Sequence, residues 1–307
     1  MLRIVLVGVL FLARAAFAAS TVIYSTGFER SQGFQPNIPL SGQGGWVNDG
    51  TGGNGVREGT NQDAYVGYSP PAFDDEFSTT VWKPGLHVGA IPSNSVLRFS
   101  VDMSIADSTT DAPYYDEFHW SLYNTNSQRL FSLIFDNYSF GIYFSPVDGG
   151  FFDTGFSFSN NVSYHLEISM DFNRNWWNAT LQGVDLGIND ILATNTAQLR
   201  FGDIDAVWSY HDPGFAGDNF MAFDNYRISI DTSSKPSLQV VSTTNRQARL
   251  RVTGDNGFRY AVEASASLLP GSWLPISTNM VTGTSFDILD PIQPPPSRRF
   301  YRARWVP

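Results

Sequence analysis

Two stretches of strict alternation constrain this chain more than any other feature in it. Leu97, Phe99, Val101, Met103 and Ile105 alternate with Arg98, Ser100, Asp102 and Ser104. Tyr164, Leu166, Ile168, Met170 and Phe172 alternate in the same way with His165, Glu167, Ser169 and Asp171. A side-chain period of two marks a strand with one face in a core and the other in water. Shorter runs at 64–68, 77–82, 118–123, 130–135, 140–144, 176–181, 197–201 and 220–230 are further strand candidates, and 171–175 reads as a hairpin turn. Helical periodicity is confined to the short stretch 188–195. Aromatic residues make up 15% of the chain and 27 glycines and 17 prolines punctuate it, the composition of sheets joined by turns. With no crossover helices between the strands, the expected fold is all-β, an antiparallel sandwich.

A boundary is expected after this first domain, at 20–232. The sequence Asp231-Thr232-Ser233-Ser234-Lys235-Pro236 sets polar and breaker residues behind the Tyr226, Ile228 and Ile230 face, so 233–236 reads as a linker. Beyond it, 237–307 carries three more alternations: Leu250 and Val252, then Tyr260, Val262 and Ala264, then Tyr301, Ala303 and Trp305, with Asp255-Asn256-Gly257 as a turn. A module of this size and pattern is expected to be a small Ig-like or fibronectin-like sandwich. Its basic end, Arg298, Arg299, Arg302 and Arg304, reads as solvated strand faces or an interdomain contact rather than a binding patch.

The first 18 residues have a different character. An apolar run from Leu2 to Phe17, with Arg3 near its start, ends in Ala16-Phe17-Ala18, the small-x-small pattern of a signal peptidase site. Residues 1–18 are therefore expected to be a signal peptide, and the mature chain to be secreted, extracellular or held in the periplasm or at the cell surface. The run is shorter than the ~20 residues a membrane-spanning helix needs and Arg14 interrupts it, so no membrane span is expected after cleavage. The chain has no cysteine, which removes disulfides, zinc-thiolate centres and cysteine nucleophiles. Its formal net charge of -10 argues against nucleic acid as a partner, because phosphates require a lysine and arginine footprint.

Several motifs resemble a known architecture. Tyr24-Ser25-Thr26-Gly27-Phe28-Glu29, the segment from Leu40 to Trp46, Gln62-Asp63-Ala64-Tyr65-Val66-Gly67 and the segment from Gly217 to Tyr226 resemble the concanavalin A-like, laminin G-like jelly rolls of secreted bacterial proteins of the Verrucomicrobia and Planctomycetes type. Tyr260 to Ser265, Trp273 and Arg299 to Arg304 resemble the small β-module that ends many such chains. The resemblance implies a concanavalin A-like jelly-roll β-sandwich, a fold that hosts lectins, glycanases, lyases and adhesion modules alike. It also implies a structural calcium ion where the terminal strands meet, with Glu29 as a ligand. Alternation separately places Asp224 on the apolar face formed by Ala222, Tyr226, Ile228 and Ile230, where a carboxylate must be paired or hold a metal. Asp63 and Asp218, in turns flanking strands, are further candidate oxygens, since Ca2+ takes six to eight.

Catalytic signatures are sparse. Jelly-roll glucanases carry a Glu-x-Asp-x-x-Glu strand, and none of the six glutamates here, at 29, 58, 76, 117, 167 and 263, starts one. Glu167 and Asp171 share a strand face but lie about 13 Å apart at ~3.3 Å per residue, too far for either glycosidase geometry. Asp116 and Glu117 are adjacent and diverge on an extended strand. The four histidines, 87, 119, 165 and 211, show no metal spacing, and no Gly-x-Ser-x-Gly elbow is present. Tyr210-His211 bears a superficial likeness to the base and acid of jelly-roll lyases, without their surrounding motifs. Aromatic stacking residues are plentiful: Trp176 beside Trp177, Trp208 with Tyr210 and His211 ahead of a Pro-Gly turn, and Tyr114, Tyr115 and Tyr123 around the 118–123 run. The expected function is non-catalytic binding of extracellular polysaccharide or cell-surface glycan through Trp176, Trp208, Tyr210, His211 and Tyr123. A structural or adhesion protein of the cell envelope with protein partners, and a divergent glycoside hydrolase or lyase, are the alternatives.

Overall fold

The computed structural model describes residues 19–86, 88–106, 116–212, 217–233, 236–244, 247–255, 258–291 and 298–306. The expected signal segment 1–18, His87, Tyr114, Tyr115 and the turn residues 256 and 257 lie outside them. The chain divides into two compact units, Ser20–Asp231 and another from Thr232 onward.

The strands of the larger unit, in chain order, are β1 (Ala19–Thr26), β2 (Val47–Asp49), β3 (Asn54–Arg57), β4 (Asp63–Gly67), β5 (Ser78–Trp82), β6 (Ser95–Ala106), β7 (Glu117–Asn124), β8 (Arg129–Asp136), β9 (Gly141–Pro146), β10 (Phe152–Ser157), β11 (Tyr164–Asp171), β12 (Trp176–Leu181), β13 (Val184–Asp185), β14 (Phe201–Ser209) and β15 (Phe220–Thr232). They form an eight-stranded sheet in the order β13-β12-β11-β6-β15-β4-β3, with β1 also paired to β15. The second sheet has seven strands, β10-β9-β8-β7-β14-β5-β2. The strand pairs are antiparallel, and the inner faces of the two sheets enclose one core.

The alternating segments became the strands they announced. β6 buries Leu97, Phe99, Val101, Met103 and Ile105, all at or below 2% exposure, and β11 pairs with it from Tyr164↔Met103 to Met170↔Leu97. The core is aromatic at its centre. Phe223 and Tyr226 meet Trp46 on one side and Trp120 on the other, and Phe99 meets Trp120 and Tyr226, in tilted and edge-to-face contacts with ring centroids 5.0–6.3 Å apart, the geometry the ring quadrupoles favour.

Three sequence expectations are corrected here. The stretch 188–195 is not helical; it runs irregularly under β12 with Leu192 and Ala193 buried, and the Asn175 amide accepts from Ala193 N (2.8 Å) and donates to Ala193 O (2.6 Å). The expected strand at 197–201 is a 3-10 turn, Thr196–Gln198, capped by Asn195, and the strand begins only at Phe201. Finally, Asp224 does not share the core face of β15. Asn225 takes a positive φ of 52° and inserts an extra residue, so Met221 and Phe223 point inward before it and Tyr226 and Ile228 after it. Such a bulge switches the parity of the strand and turns Asp224 outward.

The smaller unit holds two three-stranded antiparallel sheets. One contains β16 (Ser237–Thr244), β17 (Gln247–Thr253) and β20 (Ser285–Pro291); the other contains β18 (Arg259–Ser265), β19 (Leu274–Met280) and β21 (Phe300–Val306). Its basic end is tied down internally. Arg299 makes two hydrogen bonds to Asp290 (2.6 and 2.9 Å), while Arg302 and Arg304 each bond to Glu263 (2.6 and 2.9 Å).

Candidate functional site

The outer face of the seven-stranded sheet concentrates polar groups in a recess. Inward-facing Phe118, Trp120 and Leu122 on β7, and Ile204, Ala206 and Trp208 on β14, leave the intervening residues of both strands facing out. Register then sets these residues in rows across the sheet. One row holds Asp205 on β14, Ser121 on β7, Ser132 on β8 and Ser145 on β9. The neighbouring row holds Asp203, Tyr123 and Arg129. On the other side of β14, Ala206 pairs with Val81 and Val207 with Thr80, so Trp82, one residue beyond Val81, shares the outer face beside Asp205. Ser121 and Ser132 are 2% exposed and Asp205 7%, so this outward row is almost as closed to water as the core.

The row is bound together by its own hydrogen bonds. Ser121 and Ser132 hydroxyls lie 2.7 Å apart, and Arg129 Nη1 donates to Ser132 Oγ (3.1 Å), Ser145 Oγ (3.2 Å) and Ser145 O (3.4 Å). Asp203 and Asp205, two residues apart on one strand, hydrogen-bond to each other. Two carboxylates offer no donor, so this bond needs a proton between them. Burial pushes the Asp203 carboxyl up to about 6. It pushes Asp205 well above the carboxylate range, helped by the Asp203 charge and by the hydrogen bond, which places the proton on Asp205. Asp205 Oδ1 is buried with no partner. Burial, then the charge of Asp205, raises the Tyr123 phenol as well.

This pair is not among the residues the sequence singles out, since neither aspartate belongs to a recognisable catalytic or metal motif. The signal was present: Phe201, Ile204, Ala206 and Trp208 with Asp203 and Asp205 between them. Gly202 and the two aspartates lower strand propensity and hid the alternation.

The five residues expected to bind sugar are dispersed. Only Tyr123 belongs to the polar recess. Trp208 is fully buried, with Nε1 donating to Asp116 Oδ2 at 2.9 Å, and Tyr210 is 5% exposed with its hydroxyl against Thr79 Oγ1. The two rings meet edge to face at 4.6 Å inside the core, so neither presents a stacking surface, and this part of the expectation is corrected. His211 is exposed at the end of that segment, with its backbone N donating to Asp116 Oδ1 (3.2 Å). Trp176 lies on the opposite sheet, partly exposed and bonded through Nε1 to Asn189 Oδ1, while its neighbour Trp177 stacks on Phe131 at 3.7 Å in the core.

Three of the four expected calcium ligands converge. The Asp224 carboxyl is raised by burial, with the charges of Asp63 and Glu29 adding to the effect, so the three carboxyls feel one another. A Cβ built on Gly27 would stand 3.4 Å from Asp224 Oδ1 and 3.9 Å from Glu29 Cγ, which brackets one point between β1 and β15. Asn61 Nδ2 donates to Asp224 Oδ2 (2.6 Å) and Gln62 N to Glu29 Oε1 (3.1 Å). Asp63 is neutralised by Arg57, whose Nε lies 2.7 Å from Asp63 Oδ1. Asp218 stands apart, in a bend before β15, while Asp224 lies four residues into the strand from Phe220, about 13 Å along it at ~3.3 Å per residue. Among the described residues no three His, Cys, Asp or Glu side chains enclose a metal by themselves. The donor chemistry nevertheless suits Ca2+: Glu29 and Asp224 carry hard, anionic oxygens with only amide donors against them, and Asn61 brings a carbonyl oxygen.

No family model matches the sequence, and no curated protein matches it. Among solved structures, an endo-1,3-β-glucanase from Streptomyces sioyaensis superposes with a TM-score of 0.52 at 12% identity, covering 71% of this chain and 99% of the glucanase. The large unit is a jelly roll. Lower on the scale, arcelin-5, a lectin-like defense protein from Phaseolus vulgaris, aligns at a TM-score of 0.44 and 9% identity over 71% of this chain and 100% of its own. A sialidase aligns at 0.41 and 12% over 60% of this chain, which spans 17% of the length of that sialidase. The glucanase superposition establishes the jelly-roll architecture alone. Among the described residues no helix is long and apolar enough to cross a membrane.

Proposed function

We propose that the protein is an exported, non-catalytic glycan-binding protein whose jelly roll takes a saccharide on the outer face of its seven-stranded sheet. The observation that carries this reading is the group of half-buried residues on that face, Trp82, Asp203, Tyr123 and Arg129, around the closed row of Asp205, Ser121 and Ser132. An indole with a carboxyl, a phenol and a guanidinium on the same face offers a pyranose both a stacking face and hydrogen-bond partners. The same geometry disfavours hydrolysis. Carboxyls in hydrogen-bond contact sit closer than the ~5 Å of retaining glycosidases and leave no space for the water that inverting enzymes hold across ~6.5–9.5 Å. The apolar run at 2–17 supports export.

Calcium belongs to this proposal as a structural ion. Glu29, Asp224 and Asn61 would hold it with backbone oxygens, and its chemistry there would be neutralisation of two crowded carboxylates.

The test incubates the mature chain with a panel of soluble and insoluble polysaccharides, with and without Ca2+, and measures retention and newly released reducing ends together. Selective retention that is lost in Trp82→Ala, without released ends, is the expected result. Released ends would return the protein to the hydrolases and lyases, and failure on the whole panel would favour a protein partner.

A further inference from the structure

Several carboxylates of this molecule that are removed from water are held by a cation. Asp171 is held by Arg174 (2.9 Å), Asp231 by Arg98 (2.7 Å), Asp290 by Arg299 (2.6 Å), and Glu263 by Arg302 and Arg304. Asp116, fully buried, is instead satisfied by Trp208 Nε1, His211 N, Asn219 and Gly217. Asp203 and Asp205 form no ion pair among the described residues, and Asp205 Oδ1 has no partner of any kind. A buried carboxyl left in this condition is expensive unless something arrives to complete it.

We infer that the glycan taken by this face carries a protonated amine, an N-deacetylated hexosamine, whose ammonium group sits against Asp203 and Asp205 while its ring lies on Trp82. The inference rests on the glycan reading above and adds the substrate class to it.

Three arguments favour this class. An ammonium brings three N–H donors, and the half-buried Asp203 carboxyl, backed by the closed Asp205, presents anionic acceptors to it. A metal ion fits poorly, because only two carboxyls meet here and no three His, Cys, Asp or Glu side chains cluster among the described residues. Uronic acids and sulfated sugars would set like charge against the pair and against a chain of net charge -10. Trp82 adds a π-face that attracts the cationic sugar as well as its ring.

The proton balance follows from the surroundings. The charged and titratable groups facing the pair are Tyr123 from β7 and Arg129 from β8, with Tyr226 from the eight-stranded sheet across the core; the His119–Glu117 pair lies further along the same face. Arg129 is committed to Ser132 and Ser145. At neutral pH the pair therefore keeps one proton, which an incoming ammonium displaces into solvent. Affinity should rise with pH until the sugar amine itself loses its charge.

The experiment is calorimetric titration of the full mature chain with β-1,4-linked glucosamine oligomers, with N-acetylated oligomers and glucose oligomers of equal length, and with poly-lysine of matched charge. The expected result is at least tenfold tighter binding of the glucosamine oligomers, with buffer-dependent heats that report net proton release, and loss of that preference in Asp203→Asn. Equal or tighter binding of the acetylated or glucose oligomers would overturn the amine inference and leave the glycan reading standing. Equal binding of poly-lysine would overturn it by reducing the effect to net charge. Failure of all four, in protein that still binds a member of the polysaccharide panel, would overturn the amine inference alone; failure on the panel too would remove the glycan reading with it.

Discussion

At the scale of single residues, the decisive feature is that one carboxyl can be satisfied only by another. Asp205 keeps a proton because ionising it would place a second charge beside Asp203 in a recess that water scarcely enters. Folding therefore raises both carboxyls above their unfolded values. The folded state holds more protons than the unfolded one from about pH 4 upward, so this pair's contribution is fully present below pH 4. It is lost as pH rises through about 6 for Asp203, and at higher pH for Asp205. Asp205→Asn should remove the Asp205 share of the pH dependence, raising Tm at pH 7 by a few degrees while leaving Tm at pH 4 near the parent value, as thermal melts across pH 4–8 would show. Trp82→Ala makes a complementary prediction. The residue lies on the outer face, so glycan retention should fall at least tenfold while Tm moves little.

Among the elements, β15 and β14 show how one residue redirects chemistry. The Asn225 bulge turns Asp224 out of the core and sends the Asn225 amide to Asp102 Oδ2 at 2.8 Å, where Asp102 Oδ1 also meets His165 Nδ1 at 2.6 Å. A β-branched residue tolerates that positive φ poorly, so Asn225→Val should cost about 1–2 kcal/mol in denaturant melts. Asn225→Gly should cost less, because only the hydrogen bond is lost. Strand β14 carries the opposite lesson. Its alternation is complete on the inner face, yet which polar residues stand beside its outer ones is set by the register of β7 and β5 on either side.

For the whole molecule, the proposed cation site is a place where distant parts of the chain would be closed on one another. Glu29 follows β1, Asp224 sits in β15 and Asn61 precedes β4, so one ion would tie the first and last strands of the jelly roll. Binding to the folded state alone stabilises by RT ln(1 + [L]/Kd), about 2.7 kcal/mol at a hundredfold excess over Kd. Tm should therefore climb with Ca2+ and fall on chelation, and the climb should vanish in Glu29→Ala. An unchanged Tm across the titration would remove calcium from this protein.

What the sequence determined by itself was the class of fold. Alternation is a local property, and Leu97 to Ile105 or Tyr164 to Met170 state their buried face without reference to any other strand. The crowding of Glu29 with Asp224 was legible only through the motifs around them. What the tertiary structure alone decided was which polar residues share a face. Trp208 and Tyr210 fill the core while Asp203 and Asp205 line the recess, because facing depends on bulges, on register and on which strand becomes the neighbour. Those are long-range pairings, and no window of the sequence contains them.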